Sequence, residues 1–228
     1  MTLKKDDAII SIMSEFEEFA NLVLSQLDSL EKVISSGETK IPAEISQEIL
    51  DNEKKLDKME VKISDKIMNT IVLYQPVASD IRKIFACYRI VISLERIGDM
   101  VVNILNFIQN IKTIKIYTDL NDVVSNMIIS SSNMVNKALL AFTMDDKEFA
   151  IWTIKNDAVV DEINHKMMKK AIKKSSGSDD EKKLLTSFIS MNSIVTNIER
   201  IADHATNIAE AAIYSIEGKD VRHNKKIE

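Results

Sequence analysis

The chain of 228 residues is poor in the residues that interrupt or cross-link a backbone: one Cys, two Pro and four Gly. A single thiol, Cys87, excludes an intramolecular disulfide framework. Scarce Pro and Gly, with aromatic residues at 5%, argue against the short strands and turn-rich loops of an all-β domain. No basic excess is present either. Thirty Lys and Arg against 35 Asp and Glu give a net charge of −5 and a pI near 5.4, leaving no field suited to a phosphate backbone, so nucleic acid is excluded as a general partner. The charge-free stretch from Val123 to Asn136 is rich in Ser and Asn and falls short of the roughly 18 apolar residues of a membrane span. Nothing in Met1 to Ile12 reads as a signal sequence, since Lys4-Lys5 is followed by Asp6-Asp7 rather than an apolar run. The expected compartment is the cytoplasm.

What remains is rich in Ile, Lys, Glu, Asp, Asn and Met, a composition for long helices joined by short turns. Phe16, Ala20, Val23, Leu27, Leu30 and Ile34 step by three and four, which predicts a first helix from about Leu3 to Ser36, stopped at Gly37. A second helix is expected from Pro42 to Pro76, with Ile45, Ile49, Leu56, Met59, Ile63 and Tyr74 on its buried side. A third should start at Pro76 and reach Lys112, because proline suits a first helical turn. Three more are expected at about Leu120 to Met144, Asp145 to Ser175 and Ser178 to Glu217, with Ser175-Ser176-Gly177-Ser178 as a loop. The charge-free part of the fourth should be buried on more than one side, by the other half of the chain or by a second subunit.

The sequence is also one unit written twice. Glu95-Arg96-Ile97-Gly98-Asp99 recurs as Glu199-Arg200-Ile201-Ala202-Asp203, an offset of 104 between 95 and 199, and Asn103 likewise recurs as Asn207. The same offset carries Glu53 and Asp57 onto Asp157 and Asp161. Short joints force neighbouring helices antiparallel, so the expected fold is all-α: two tandem three-helix bundles, at 1–114 and 115–218, with a polar tail at 219–228.

Each half therefore carries two pairs of acids spaced i, i+4, whose side chains lie about 5–6 Å apart on one helix face. With Glu95 as origin, Asp99 lies about 40° and Asn103 about 80° around the helix. Ile81, Phe85, Tyr88 and Ile92 occupy that same face, so the carboxylates continue an otherwise apolar stripe. Were the two pairs of one half to meet, four like charges at a partly buried spot would be costly unless a cation bridged them. All-oxygen donors suit ferric iron, Mn²⁺, Mg²⁺ or Ca²⁺, and also Zn²⁺. The bland alternative is a solvated acidic stripe on a Lys-rich helix. Gly98, mid-helix, calls for close approach by a neighbouring helix or by a bound cluster.

Gln75-Pro-Val-Ala-Ser-Asp-Ile-Arg82, Leu94-Glu-Arg-Ile-Gly-Asp99 and Ile198-Glu-Arg-Ile-Ala-Asp-His-Ala-Thr-Asn-Ile-Ala-Glu210, in this order over nearly the whole chain, resemble the PhoU family of phosphate-transport regulators. The resemblance implies multinuclear metal clusters, of iron or zinc, at Glu/Asp-x-x-x-Asp motifs. Carried onto this sequence, the ligands are Glu53, Asp57, Glu95 and Asp99, then Asp157, Asp161, Glu199 and Asp203. It also implies a cytoplasmic homodimer that negatively regulates the phosphate-starvation response. The implied partners are the ATPase subunit of a phosphate ABC transporter and a sensor histidine kinase, with the membrane reached only through them. The open alternatives are a metal-free helical adaptor and a regulator of a different phosphate transporter.

Catalysis is not expected. Di-iron bundles use Glu-x-x-His, and Gly98 and Ala202 stand where that histidine would be. His204 is expected at the surface or behind a ligand, His165 and His223 at the surface, Trp152 as a core or interface anchor, and Cys87 as a small buried apolar group.

Overall fold

The computed structural model describes residues 2–157 and 179–222, and among these every regular element is helical. Helices α1 (Thr2–Ser35), α2 (Ala43–Tyr74), α3 (Ser79–Gln109) and α4 (Ile114–Thr143) are followed by α5, described over 147–157, and by α6 (Asp179–Glu217). The expected loop at 175–178 and the rest of α5, including Asp161 and His165, lie outside the described residues, as does His223.

The seam read from the sequence is the core. Phe16, Ala20, Val23, Leu27, Leu30 and Ile34 of α1 are all buried, with Ile49, Leu56 and Ile63 of α2. Gly37, at φ +69°, ends α1 in a left-handed conformation that a β-carbon would disfavour, and its N–H donates to the Ile34 carbonyl at 3.1 Å. Two starts differ from expectation. Pro76 does not open α3, because Gln75 and Ala78 both have positive φ and the intervening residues turn the chain, so the helix begins only at Ser79. Helix α4 begins at Ile114 rather than near Leu120. Ser187 Oγ accepts the N–H groups of Lys112 at 2.9 Å and Thr113 at 2.8 Å, anchoring the joint, and burial of Tyr117 overrides the weak helix propensity of a β-branched segment.

Helices α1, α2 and α3 pack pairwise, and the halves join along α3 with α6 and along α1 with α4. One continuous apolar cluster runs through all of them. Helix α4, with Val124, Met127, Ile128, Met134 and Val135 buried, lies between α1 and α6, which explains its lack of charge. Phe16 and Phe142 meet edge to face at 5.1 Å across the α1–α4 contact. Helices α3 and α6 run antiparallel: Phe85 meets Tyr214 at 6.1 Å near one end, and Ser187 holds residues 112 and 113 at the other. This register brings Gly98 level with Ala202, so the two copies of the acidic motif run antiparallel at mid-height of the molecule.

Candidate metal-binding site

Helices α2 and α3 pack closely because Gly98 has no side chain: a β-carbon there would stand 2.8 Å from Leu56 Cδ1 and 3.4 Å from Gln26 Oε1. Of the two reasons the sequence allowed for this glycine, the structure supplies helix packing. Gln26 is itself buried and donates through Nε2 to the Ile49 carbonyl at 3.0 Å, locking α1 onto α2 beneath the acids. The antiparallel register is also fixed at the far end, where Gln109 Nε2 donates to Ser46 Oγ at 3.3 Å.

On this frame Glu53 and Asp57 of α2 come within electrostatic range of Glu95 and Asp99 of α3. Burial pushes the Glu53 carboxyl above its ordinary range, and the negative charges of Asp57 and Asp99 push it further. Burial also raises Glu95, together with Asp99, Asp57 and Glu60, against the opposing pull of Arg96. Glu60 was not singled out from the sequence, although its place seven residues after Glu53 puts it on the same helix face. Arg96 is the local counter-charge, with Nε 3.4 Å from Glu95 Oε2 and Nη1 3.1 Å from Asp99 Oδ2. The Glu95 side chain keeps 21% exposure and the Asp99 side chain 34%, so the acids sit at a wetted border and not in the core.

The donor set is hard and all-oxygen, but among the described residues no three Asp, Glu, His or Cys side chains converge closely enough to hold one ion. The arrangement is two spaced carboxylate pairs across a helix groove. It does not fit a closed single-ion cage.

In the second half Asp157 ends the described part of α5 and is half-buried, Glu199 is half-buried and Asp203 is exposed; Asp161 lies outside the described residues. His204 is half-buried. Its imidazole is pushed below the ordinary histidine value by burial, and then by Arg200 and Arg96. Trp152 is 40% exposed and not a core residue. Its amphipathic ring lies on the outer side of α5, where Lys137 Nζ stands 5.8 Å from its centroid and 4.5 Å from that of Phe149. Cys87 is buried, with its thiol pushed up to about 12 by loss of solvation.

The PhoU domain profile matches residues 16–108 and again 124–212, which together are most of the chain. The chain belongs to the PhoU family. The double match coincides with the internal repeat and places one pair of acidic motifs in each PhoU domain. The chain is 30% identical over 220 residues to a phosphate-specific transport system accessory protein PhoU homolog of Aquifex aeolicus, covering 94% of this chain and 96% of that one. It is 27% identical over 220 residues to the corresponding Burkholderia homolog, covering 96% and 91%. The crystal structure of the phosphate transport system regulatory protein PhoU from Streptococcus pneumoniae matches the fold at a TM-score of 0.79 and 21% identity, over 95% of this chain and 99% of that one. PhoU from Pseudomonas aeruginosa matches at 0.75 and 21%, over 94% and 99%. Among the described residues no helix is long and apolar enough to cross a membrane.

Proposed function

We propose that this PhoU-family chain is a non-catalytic, cytoplasmic negative regulator of phosphate uptake and phosphate-starvation signalling. It links the ATPase subunit of a phosphate ABC transporter to a sensor histidine kinase, and it acts as a homodimer. The observation that carries this reading is the double PhoU domain match, together with relatives that align along nearly their whole length and are named as accessory proteins of phosphate-specific transport. Deletion of the gene tests it. Phosphate-starvation genes should then be expressed in high phosphate, and the effect should vanish when the kinase is also removed. Unchanged expression in the single deletion removes the regulatory reading.

Glu53, Asp57, Glu95 and Asp99 would hold metal, iron or zinc, at the α2–α3 groove, and Asp157, Asp161, Glu199 and Asp203 would hold it in the second half. The support is the surplus of carboxylates at the groove over the opposing charges of Arg96 and Lys54, with two of them raised by burial and mutual repulsion. Bound cations would neutralise that surplus and tie α2 to α3. A metal-free adaptor is the second reading, favoured by the absence of a three-donor cluster among the described residues and by the ion pairs of Arg96. The metal content of protein purified without an affinity tag separates the two.

A further inference from the structure

Beside the carboxylates, the α2–α3 surface carries a row of exposed apolar side chains, interrupted on α2 by Ser64. Val61, Met68 and Val72 of α2 and Phe85 and Ile92 of α3 are between 37% and 69% exposed, and Leu73 and Val77 continue the surface into the α2–α3 turn. The residues form stripes. Val61, Met68 and Val72 fall within about 60° of Asp57 on the α2 wheel, and Phe85 and Ile92 within about 80° of Glu95 on α3. Leu56 against Gly98, and Ser46 bonded to Gln109, set the antiparallel register. Stepping along both helices from those contacts brings Val61 level with Ile92, Met68 with Phe85 and Val72 with Ile81. The two stripes therefore lie side by side on the face that also carries Asp57 and Glu95, whose charges act on each other across the groove.

The groove has closed flanks. On one flank Lys62 and Lys66 of α2 hold Glu15 of α1, and on the other Phe85, at the edge of the stripe, meets Tyr214 of α6. The stretch from Val61 to Val72 is about 16 Å long, or three helical turns. Nor does the repeat dictate it. Under the 104-residue offset Ile81 and Phe85 become Leu185 and Ile189, but Tyr88 and Ile92 become Asn192 and Thr196, so the continuous stripe on the acid-bearing helix is particular to the first half.

An open apolar strip of this length marks an interaction surface, and its charge selects the occupant. One end opens onto Glu53, Asp57, Glu60, Glu95 and Asp99, where the guanidinium of Arg96 is already engaged by Glu95 and Asp99. We infer that the α2–α3 groove docks an amphipathic helix of a partner protein, apolar along the stripe that faces Val61, Met68, Val72, Phe85 and Ile92, and basic at the end that lies over the carboxylates. The inference rests on the reading of the chain as a protein that acts by binding a partner. It concerns the metal-free chain, whose carboxylates keep their charge, so the test is run on chelator-treated protein.

The test uses the full chain and a fluorescein-labelled helical peptide of about fourteen residues, with leucines at helical spacing and arginines at one end, read by anisotropy. The same peptide with glutamates in place of the arginines is the control. The arginine peptide should bind at least about tenfold tighter than the control, and the Val61→Ser/Met68→Ser/Val72→Ser chain should lose about tenfold of that affinity. These side chains are mostly exposed, so the fold should survive, which circular dichroism checks. Should the triple variant unfold, Met68→Ser alone and Glu60→Gln carry the same comparison. Equal binding of the two peptides, unchanged binding to the serine variants, or no binding of the arginine peptide up to about 1 mM overturns the inference. So does a chain dimer abolished by the serine variants, or their loss of binding to phosphatidylcholine–phosphatidylglycerol vesicles, since either assigns the groove to another occupant. Because the readout is a purified interaction, it can fail while the gene-deletion phenotype stands, and the reverse.

Discussion

Gly98 and Leu56 share one space: the leucine Cδ1 lies 2.8 Å from where a β-carbon on residue 98 would stand. The contact sets the spacing of α2 and α3, and with it the distance between their carboxylates. Gly98→Ala should be close to neutral, because about 1 kcal/mol of helix propensity offsets the shift of a flexible leucine end. Gly98→Val should cost about 2–4 kcal/mol, as branching drives atoms into Leu56 and Gln26. Urea unfolding distinguishes the two, and equal losses for both would contradict this packing.

Glu15 is held by Lys66 at 2.8 Å and Lys62 at 3.1 Å, with 19% of its side chain exposed. Burial pushes its carboxyl upward, but the hydrogen bonds from Lys66 and Lys62 outweigh burial and leave it below the ordinary glutamate value. A depressed folded value gives stability that is fully present above the unfolded value of 4.5 and is lost as the pH falls through the folded one. Glu15→Gln should therefore lower stability by about 1 kcal/mol at pH 7, with the difference from wild type closing below pH 4. A difference that persisted in acid would point to packing instead of charge.

Glu53 is in the opposite position, raised by burial, Asp57 and Asp99. Removing its charge relieves repulsion in the metal-free protein. Glu53→Gln should raise the melting temperature of chelator-treated protein at pH 7.5 by about 1–3 °C, and it should shrink the further rise caused by added metal. Thermal scans with and without zinc give both numbers.

Cys87 of α3 faces the core and its thiol is pushed up to about 12. The folded protein should leave it unmodified by a thiol-specific disulfide reagent over minutes, and unfolding in guanidinium should release one reactive thiol per chain. Rapid labelling of the native protein would contradict its placement.

Much of this architecture was legible in the order of residues. The three-and-four spacing of α1 marks its buried face, and the 104-residue offset marks two equivalent halves, because periodicity and repetition survive without knowledge of neighbours. What depended on tertiary contact was not legible. The starts of α3 and α4 are set by positive φ at Ala78 and by Ser187 across the interface, neither of which a local pattern contains. Of the two places the sequence allowed for Trp152, core or interface, its 40% exposure sets aside the core, because an amphipathic indole can stand at a surface beside a lysine as readily as be buried. The acid pairs of α2 and α3 act on each other across the groove in the first half, a meeting that the sequence offers only as a condition. Arg96 pairs with Glu95 and Asp99 within α3 itself, whereas Glu60 joins them only through the helix-to-helix register. Ile92 and Phe85 continue the acidic face as expected, but whether an apolar stripe is covered or open depends on a partner that lies outside one chain's sequence.

The most direct test of the account is elemental analysis of the full chain purified without an affinity tag, side by side with the Glu53→Gln/Asp57→Asn/Glu95→Gln/Asp99→Asn variant. The account predicts about one or more iron or zinc ions per wild-type chain, with about half or more of that metal lost from the variant. Wild-type protein with less than about a tenth of an ion per chain, and no rise in melting temperature on adding iron or zinc, would contradict it.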